Sequence, residues 1–387
     1  MNALVFMRGH SWFIASLLNN IFTMMKELKV GLIGFGFIGK VHAYGHREMP
    51  LFYDPLPFRS RIATVCTAHA ESAAHAAEQL GGNVRPVTDF REITEDPSID
   101  IVDICSPNGA HKEAVLSAIA HGQHIFCEKP ITRTLDEALE IQDALKGYRG
   151  ISQMTLIYRF FPNVLRAKQL LEEGRIGNIL EFHASFLHSG SVDPQAPFTF
   201  KLADGVVADL GSHILDLVQF LAGPIVDIQG KTRIAFPQRP AEKGSSQMAK
   251  VTGEDGMYCL ATLSNGAIGT IVASKIATGT EDALTLEIRG TKGAIRLEPM
   301  NLQQLFFYDQ TATAAPIGGL RGWTAIDCGQ RYDKPAGFPT PKSVLGWLRG
   351  HVHCLYSFLD GVYRNQPVHP DLADGVELQK LMAKVKP

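Results

Sequence analysis

The run Gly34-Phe35-Gly36-Phe37-Ile38-Gly39 restricts the fold of this chain more than any other feature. It follows a short apolar stretch, Val30 to Ile33, and opens a helical pattern from Lys40, so it reads as strand, glycine turn and helix. In that setting G-x-G-x-x-G is a dinucleotide fingerprint and not a chance pattern. Gly34 permits the tight turn and Gly36 lets the backbone approach a pyrophosphate. Gly39 lets the helix pack on the sheet while its first amides, with those of Phe35, Phe37 and Ile38, face the negative charge.

The rest of the first half repeats the theme. Apolar runs at Ile62 to Cys66, Ile101 to Cys105 and His124 to Cys127 are each trailed by a segment rich in Ala, Glu or Leu. That alternation predicts a doubly wound parallel sheet of Rossmann type with helices on both faces. After about residue 150 the runs lengthen: Ile179 to Leu187, Met257 to Leu263, Ala267 to Lys275, Ala283 to Arg289 and Leu302 to Tyr308. Asn265-Gly266 between two of them favours a type I′ hairpin, which predicts an α+β second domain with a large, mostly antiparallel sheet. Residues 237 to 250 read as an exposed loop, and Leu345 to Tyr363 and Gly375 to Val385 as closing helices. The expected division is an extension at 1–28, a dinucleotide-binding domain at 29–150, and a substrate-binding and oligomerisation domain at 151–387. Two domains suit 387 residues.

Charge and cysteine content exclude several classes. A formal net charge of −2 provides no positive field to gather nucleic acid or an anionic membrane surface. The six cysteines show no C-x-x-C pair, so they read as reduced thiols in a cytoplasmic protein. Arg8 precedes a loosely apolar stretch from Trp12 to Phe22, but Asn19 and Asn20 interrupt it, no cleavage site follows, and no run elsewhere reads as a membrane span. The expected partner is a small molecule. His42 and His46, and His351 and His353, lack a third ligand at metal spacing, so no metal is expected.

Four landmarks from Lys29 onward carry a family resemblance. They are the glycine turn; Cys105-Ser106-Pro107-Asn108 with His111; Glu128-Lys129-Pro130; and Asp209-Leu210-Gly211-Ser212-His213. With Tyr158-Arg159-Phe160 and Glu172-Glu173-Gly174-Arg175-Ile176-Gly177, they make the chain resemble the glucose-fructose oxidoreductase, inositol dehydrogenase and MocA family. The resemblance implies NAD(P)-dependent hydride transfer to or from a hydroxyl-bearing carbon of a sugar, polyol or similar substrate. It implies that Lys129, Asp209 and His213 are catalytic, with Ser106, Pro107, Asn108, His111, Glu128 and Pro130 at the cofactor. Tyr158, Arg159, Asp193 and Lys201 become candidates for the substrate wall.

The chemistry suits those residue types. Loss of hydride from a carbinol requires loss of its hydroxyl proton, and a histidine can accept it near neutral pH. A lysine ammonium stabilises the developing alkoxide. Asp209, four residues before His213 on a helix, would share its face and orient it or bond an adjacent hydroxyl. Many family members carry Asn where this chain has Ile157, and Trp-Arg where it has Phe200-Lys201, which bears on substrate choice.

An NAD site usually places Asp or Glu after the second strand for the ribose 2′-hydroxyl. Cys66-Thr67-Ala68-His69 has no carboxylate, and Thr67 and His69 could contact a 2′-phosphate. NAD and NADP both fit, with a slight lean to NADP. A homodimer or homotetramer is expected, because an open sheet with an apolar face needs a cover. A relative that keeps its cofactor bound between paired half-reactions would use the same residues. The alternative from another class is a dinucleotide-sensing regulator of the same fold, which would be expected to lose the lysine and histidine pair.

Overall fold

The computed structural model describes residues 25–199, 204–329, 332–338, 343 and 346–385. The first sheet has six parallel strands: β1 (Lys26–Ile33), β2 (Phe58–Cys66), β3 (Arg85–Val87), β4 (Ile101–Ile104), β5 (His124–Cys127) and β6 (Ser152–Met154). Their spatial order is β3-β2-β1-β4-β5-β6. The chain winds outward from β1 to β3 and then crosses back to β4, so the switch point lies between β1 and β4, where such sheets leave a crevice at their carboxyl edge. Helices α1 (Phe37–Phe52), α2 (Ala70–Gln79), α3 (Arg91–Thr94), α4 (His111–Ala120) and α5 (Leu135–Leu145) connect the strands. Every residue of β4 is buried, as a strand covered on both faces requires. Thr134 and Glu137 form a reciprocal capping box at the start of α5, a device that contributes about 1 kcal/mol. The sheet runs from Lys26 to Met154 and so overlaps both ends of the expected 29–150 unit.

Beyond α6 (Pro162–Glu172) stands an eight-stranded sheet in the order β16-β15-β14-β13-β7-β12-β11-β8. Its strands are β7 (Ile179–Leu187), β8 (Ile225–Arg233), β11 (Gly256–Leu263), β12 (Ile268–Ser274), β13 (Ala283–Gly290), β14 (Gly293–Leu297), β15 (Gln304–Asp309) and β16 (Trp323–Asp327). All neighbours are antiparallel except β7 and β12. Phe182, Ala184 and Phe186 alternate inward along β7, facing α7 (Ser212–Ala222), while α6 packs on β14 and β15. The carboxy-terminal helices α8 (Trp347–Arg364) and α9 (Leu372–Val385) return to the first sheet, against α1 and α5. Phe358 of α8 stacks on Phe126 of β5 with centroids 5.1 Å apart, so the last helices belong to both halves.

Three expectations change. The β11–β12 turn is not type I′: Gly266 has φ +85°, but Asn265 has no positive φ, and Gly266 N donates to Leu263 O at 2.9 Å. This is a longer hairpin loop whose glycine alone supplies the left-handed position. Residues 237–250 are not simply an exposed loop, because β9 (Gln238–Pro240) pairs with β10 (Met248–Lys250) and Arg239 is fully buried. Arg239 donates to the carbonyls of Ser191 and Asp193, which the sequence could not signal. Finally, the helical stretch Asp204–Ala222 is apolar and long enough to cross a membrane, yet 72% of it is buried within the protein, as in a core helix. The amino-terminal extension falls outside the described residues as far as residue 24.

Candidate functional site

The three glycines of the turn meet different surroundings. Gly34 has φ +96°, and a Cβ there would stand 2.6 Å from the Cys105 carbonyl oxygen. A Cβ on Gly39 would stand 2.2 Å from the Gly34 carbonyl oxygen. Those two are held by the protein's own backbone. Gly36 has nothing within 4 Å of its Cβ direction, and α1 begins there without a side-chain cap or an acidic residue in its first turn. Free helix amides above an open glycine are what a pyrophosphate requires. Across the crevice, Ser106 Oγ is buried with no hydrogen-bond partner. A dinucleotide fits this cradle on both counts.

At the end of β2, Thr67 Oγ1 donates to the His69 carbonyl at 3.1 Å and lies 2.6 Å from Ser72 Oγ. Ser72 was absent from the sequence reading, and its place in the first turn of α2 was the available signal. Burial pushes the Cys66 thiol up to about 11, helped by the charges of Asp89 and Glu92. Carboxylates therefore approach this strand end from the segment after β3, although none follows β2 in sequence.

The loops after β4 and β5 are tied together by His111. Its Nδ1 lies 2.9 Å from the Pro130 carbonyl and its Nε2 2.8 Å from the Ser106 carbonyl. Burial pulls its pKa down against both carbonyls. Asn108 turns its amide onto Asp204 Oδ2 at 3.1 Å, and Asp204 also meets Arg133. Glu128 is buried; one oxygen accepts from Lys129 N at 3.0 Å and the other meets His42 Nε2 at 3.2 Å. His42 Nδ1 lies 2.7 Å from Asp103 Oδ1, and His46 Nε2 lies 3.2 Å from Asp103 Oδ2. The sequence reading found no acidic or thiol partner for these histidines, yet Asp103, Glu128 and Cys105 complete the set in space. Burial works against the imidazolium of His42, but the charges and hydrogen bonds of Asp103 and Cys105 together outweigh it, and the pKa lies well above the ordinary value. These contacts make the cluster an internal network of buried ion pairs between α1 and the ends of β4 and β5.

Lys129 and Asp209 come together across 80 residues. Lys129 Nζ donates to the Asp209 carbonyl at 2.9 Å and to Asp209 Oδ1 at 3.2 Å. The other carboxylate oxygen, Oδ2, meets Lys275 Nζ at 3.0 Å. Burial raises the pKa of Asp209, but the two ammonium charges outweigh it and hold the carboxyl far below its usual range. Asp209 lies in a π-helical turn, Val207–Gly211, that runs into α7, a distortion often found at functional sites. Its carboxylate thus faces the lysines, and no hydrogen bond joins it to His213 among the described residues. His213 instead meets Tyr158 edge-on, with centroids 4.8 Å apart. Its Nδ1 is buried without a partner while the ring is partly exposed, which leaves Nε2 as the accessible nitrogen. Burial and then the Lys129 charge hold its pKa well below the ordinary value, so the ring is neutral at pH 7. Burial also raises the Tyr158 phenol, so it remains a hydrogen donor.

Other expected wall residues are differently employed. Arg159 is committed to Asp216 through three hydrogen bonds, two of them at 2.9 and 3.1 Å. Asp193 is exposed and caps a local turn at Gln195 N, 2.9 Å away. Lys201 lies outside the described residues. His353 Nδ1 lies 2.6 Å from Tyr53 OH, and its ring packs against Tyr332, in an aromatic cluster beside the end of α1. Lys275 was missed altogether, because a lysine closing a strand has no local sign of burial.

Known proteins resemble this chain in both halves. Residues 28–155 match the oxidoreductase family with an NAD-binding Rossmann fold, and residues 164–296 match the GFO/IDH/MocA C-terminal domain. Levoglucosan dehydrogenase of Pseudarthrobacter phenanthrenivorans is 31% identical over 371 residues, covering 92% of this chain and 94% of the relative. The scyllo-inositol 2-dehydrogenase (NAD(+)) of Bacillus subtilis is 26% identical over 289 residues, covering 73% of this chain and 77% of its own. Among solved structures, levoglucosan dehydrogenase with NADH and levoglucosan superimposes with a TM-score of 0.87 at 30% identity, covering 93% of this chain and 96% of that one. An oxidoreductase domain protein from Kribbella flavida gives 0.86 at 31% identity over the same shares. The chain belongs to the GFO/IDH/MocA family of NAD-binding oxidoreductases.

Proposed function

We propose that this protein oxidises a secondary hydroxyl of a cyclic sugar or anhydrosugar, or reduces the matching ketone, at the cleft between Lys129 and His213. Nicotinamide, when bound, accepts or returns the hydride. The chain's own part is to hold the substrate oxygen and move its proton. Lys129 has three N–H groups and Asp209 engages two. The third is available to the substrate oxygen, where it stabilises alkoxide character. Neutral His213 accepts the hydroxyl proton at Nε2 during oxidation and returns it during reduction. Tyr158 donates from the other side. The observation that carries this reading is geometric: Asp209 holds Lys129 through its carbonyl and Oδ1, and His213 follows Asp209 by four residues on the same helical stretch. A dinucleotide sensor is disfavoured, because the chain keeps the lysine and histidine pair and aligns along most of its length with dehydrogenases.

Levoglucosan is the first substrate to test, followed by scyllo-inositol and D-apiose, the compounds named by similar enzymes. NADH is the first cofactor, since solved relatives hold it. The strand end at Thr67 and His69 leaves NADPH acceptable, and the ratio of the two dissociation constants decides between them. The test is turnover of the panel with NAD+ and NADP+ by wild type and Lys129→Ala. The expected result is a fall of about 10²–10³-fold in kcat for Lys129→Ala with NADH binding retained. Equal turnover by both proteins would refute the assignment.

The open face of the eight-stranded sheet supports self-association. Tyr258, Leu260 and Ile268 are 44, 56 and 51% exposed there. A second copy of the sheet would cover them. Light scattering showing a monomer at micromolar concentration would end that reading.

A further inference from the structure

We propose that Lys275 is a positioning residue of the reaction: its ammonium holds Oδ2 of Asp209, which keeps Oδ1 on Lys129 and leaves one N–H of Lys129 for the substrate oxygen. The proposal rests on the reading of Lys129, Asp209 and His213 given above. Lys275 is 3% exposed and immediately follows β12, where its main chain is fixed on both sides. Lys275 N donates to the Asp255 carbonyl, and Lys275 O accepts from Ser191 N, both at 2.9 Å. The side chain therefore leaves a rigid point. Nζ reaches Asp209 Oδ2 at 3.0 Å and the Gly205 carbonyl at 3.4 Å.

A carboxylate turns about its Cβ–Cγ bond, and with a single cation beside it both oxygens can chelate that cation. Lys275 prevents this by occupying one of them. The chain of Lys129, Asp209 and Lys275 also carries two positive charges and one negative, so an oxygen gaining negative charge beside Lys129 completes the balance. Groups facing Asp209 from the surrounding elements are Lys129 after β5, Tyr158, His213 on α7, Lys275, and Asp282 before β13, while Glu254, just before β11, accepts from Val207 N at the start of the π turn. Asp209 and Asp282 repel one another as anions, so the second lysine also secures the anionic form of Asp209.

The experiment measures kcat, KM and the pH profile of Lys275→Met, Lys275→Arg and Lys129→Ala with NAD+ and whichever of levoglucosan, scyllo-inositol and D-apiose wild type turns over fastest. NADH fluorescence titration and a thermal melt control for cofactor binding and folding. Lys275→Met should lower kcat at least about tenfold with KM and NADH affinity little changed, a smaller loss than for a group touching the oxygen. Its acid limb should move to higher pH, because Asp209 loses one of the two cations that keep it ionised. Lys275→Arg should restore most of both. Wild-type kcat and pH profile in Lys275→Met, alongside an inactive Lys129→Ala, would overturn the proposal alone. Full activity in Lys129→Ala, or no turnover of any of the three substrates by wild type, would overturn the underlying reading and this proposal with it.

Discussion

On the reading proposed above, the dinucleotide side of the site is six consecutive residues of backbone, Gly34 to Gly39, whereas the reactive side is four side chains drawn from positions 129, 209, 213 and 275. The first works by leaving side chains out. Gly34 and Gly39 are glycine because the protein's own carbonyls fill the space of a Cβ, and Gly36 because the space is kept for something else. The second works by bringing charges in, and each charge is controlled by residues remote in sequence. A contiguous site tolerates drift elsewhere in the chain, while an assembled one depends on the packing of every element that contributes.

Breaking the backbone side should give the largest effect. Gly39→Val places a branched side chain where even a Cβ stands 2.2 Å from the Gly34 carbonyl, so the turn must open. NADH titration should show no measurable binding, or the variant should fail to fold; near-native affinity would disprove the close-packing account. On the assembled side, Asp216→Ala strands the Arg159 guanidinium in a largely buried position. The cost should be about 3–5 kcal/mol in denaturant unfolding. A loss below about 1 kcal/mol would mean that water satisfies the arginine.

Gly36→Ala sharpens the contrast within the turn. No atom of the protein lies within 4 Å of the added carbon, so the melting temperature should be unchanged while NADH binding weakens about tenfold. Unaltered binding would show that the pyrophosphate does not pass over Gly36.

Acid should separate the two sides more gently. Burial lowers the pKa of His213, and lowers His351 and His353 to about 3. Their unfolded forms take up protons below about pH 6.5 that the native forms refuse, so stability is lost as pH falls through that value. His42 shifts the other way: its contribution grows as pH falls from the raised folded value and is complete below its unfolded pKa, so it offsets only a small part of the acid loss, near about pH 6.5 to 7, and none of it below. Thermal melts should fall between pH 7 and 5.5, by about 1–3 kcal/mol in stability, and His353→Phe should flatten the dependence. A melting temperature that rises toward pH 5.5 would contradict these directions.

Much of this organisation was legible in the chain. Glycine spacing after an apolar strand is a local signal, and so is the switch from short doubly apolar runs to longer alternating ones. Lys129 and His213 stood out through the motifs around them. Lys275, Asp204 and Arg239 did not, because burial of a charged side chain depends on what another segment places opposite it. The same limit applies to His42 and His46, whose partners Asp103 and Glu128 lie 57 to 86 residues away. Arg159 shows the converse, a residue whose motif pointed to substrate and whose guanidinium is spent on Asp216.

The order of elements, the parallel first sheet and the glycine turn are written locally in the chain, since each depends on side-chain periodicity or on the absence of a Cβ. That Asp209 faces two lysines instead of His213, that burial holds the His213 pKa down, and that the carboxy-terminal helices close on the first sheet emerge on folding. Those outcomes arise from a π turn, from desolvation and from long-range packing, and each is a property of neighbours in space that no stretch of chain carries alone.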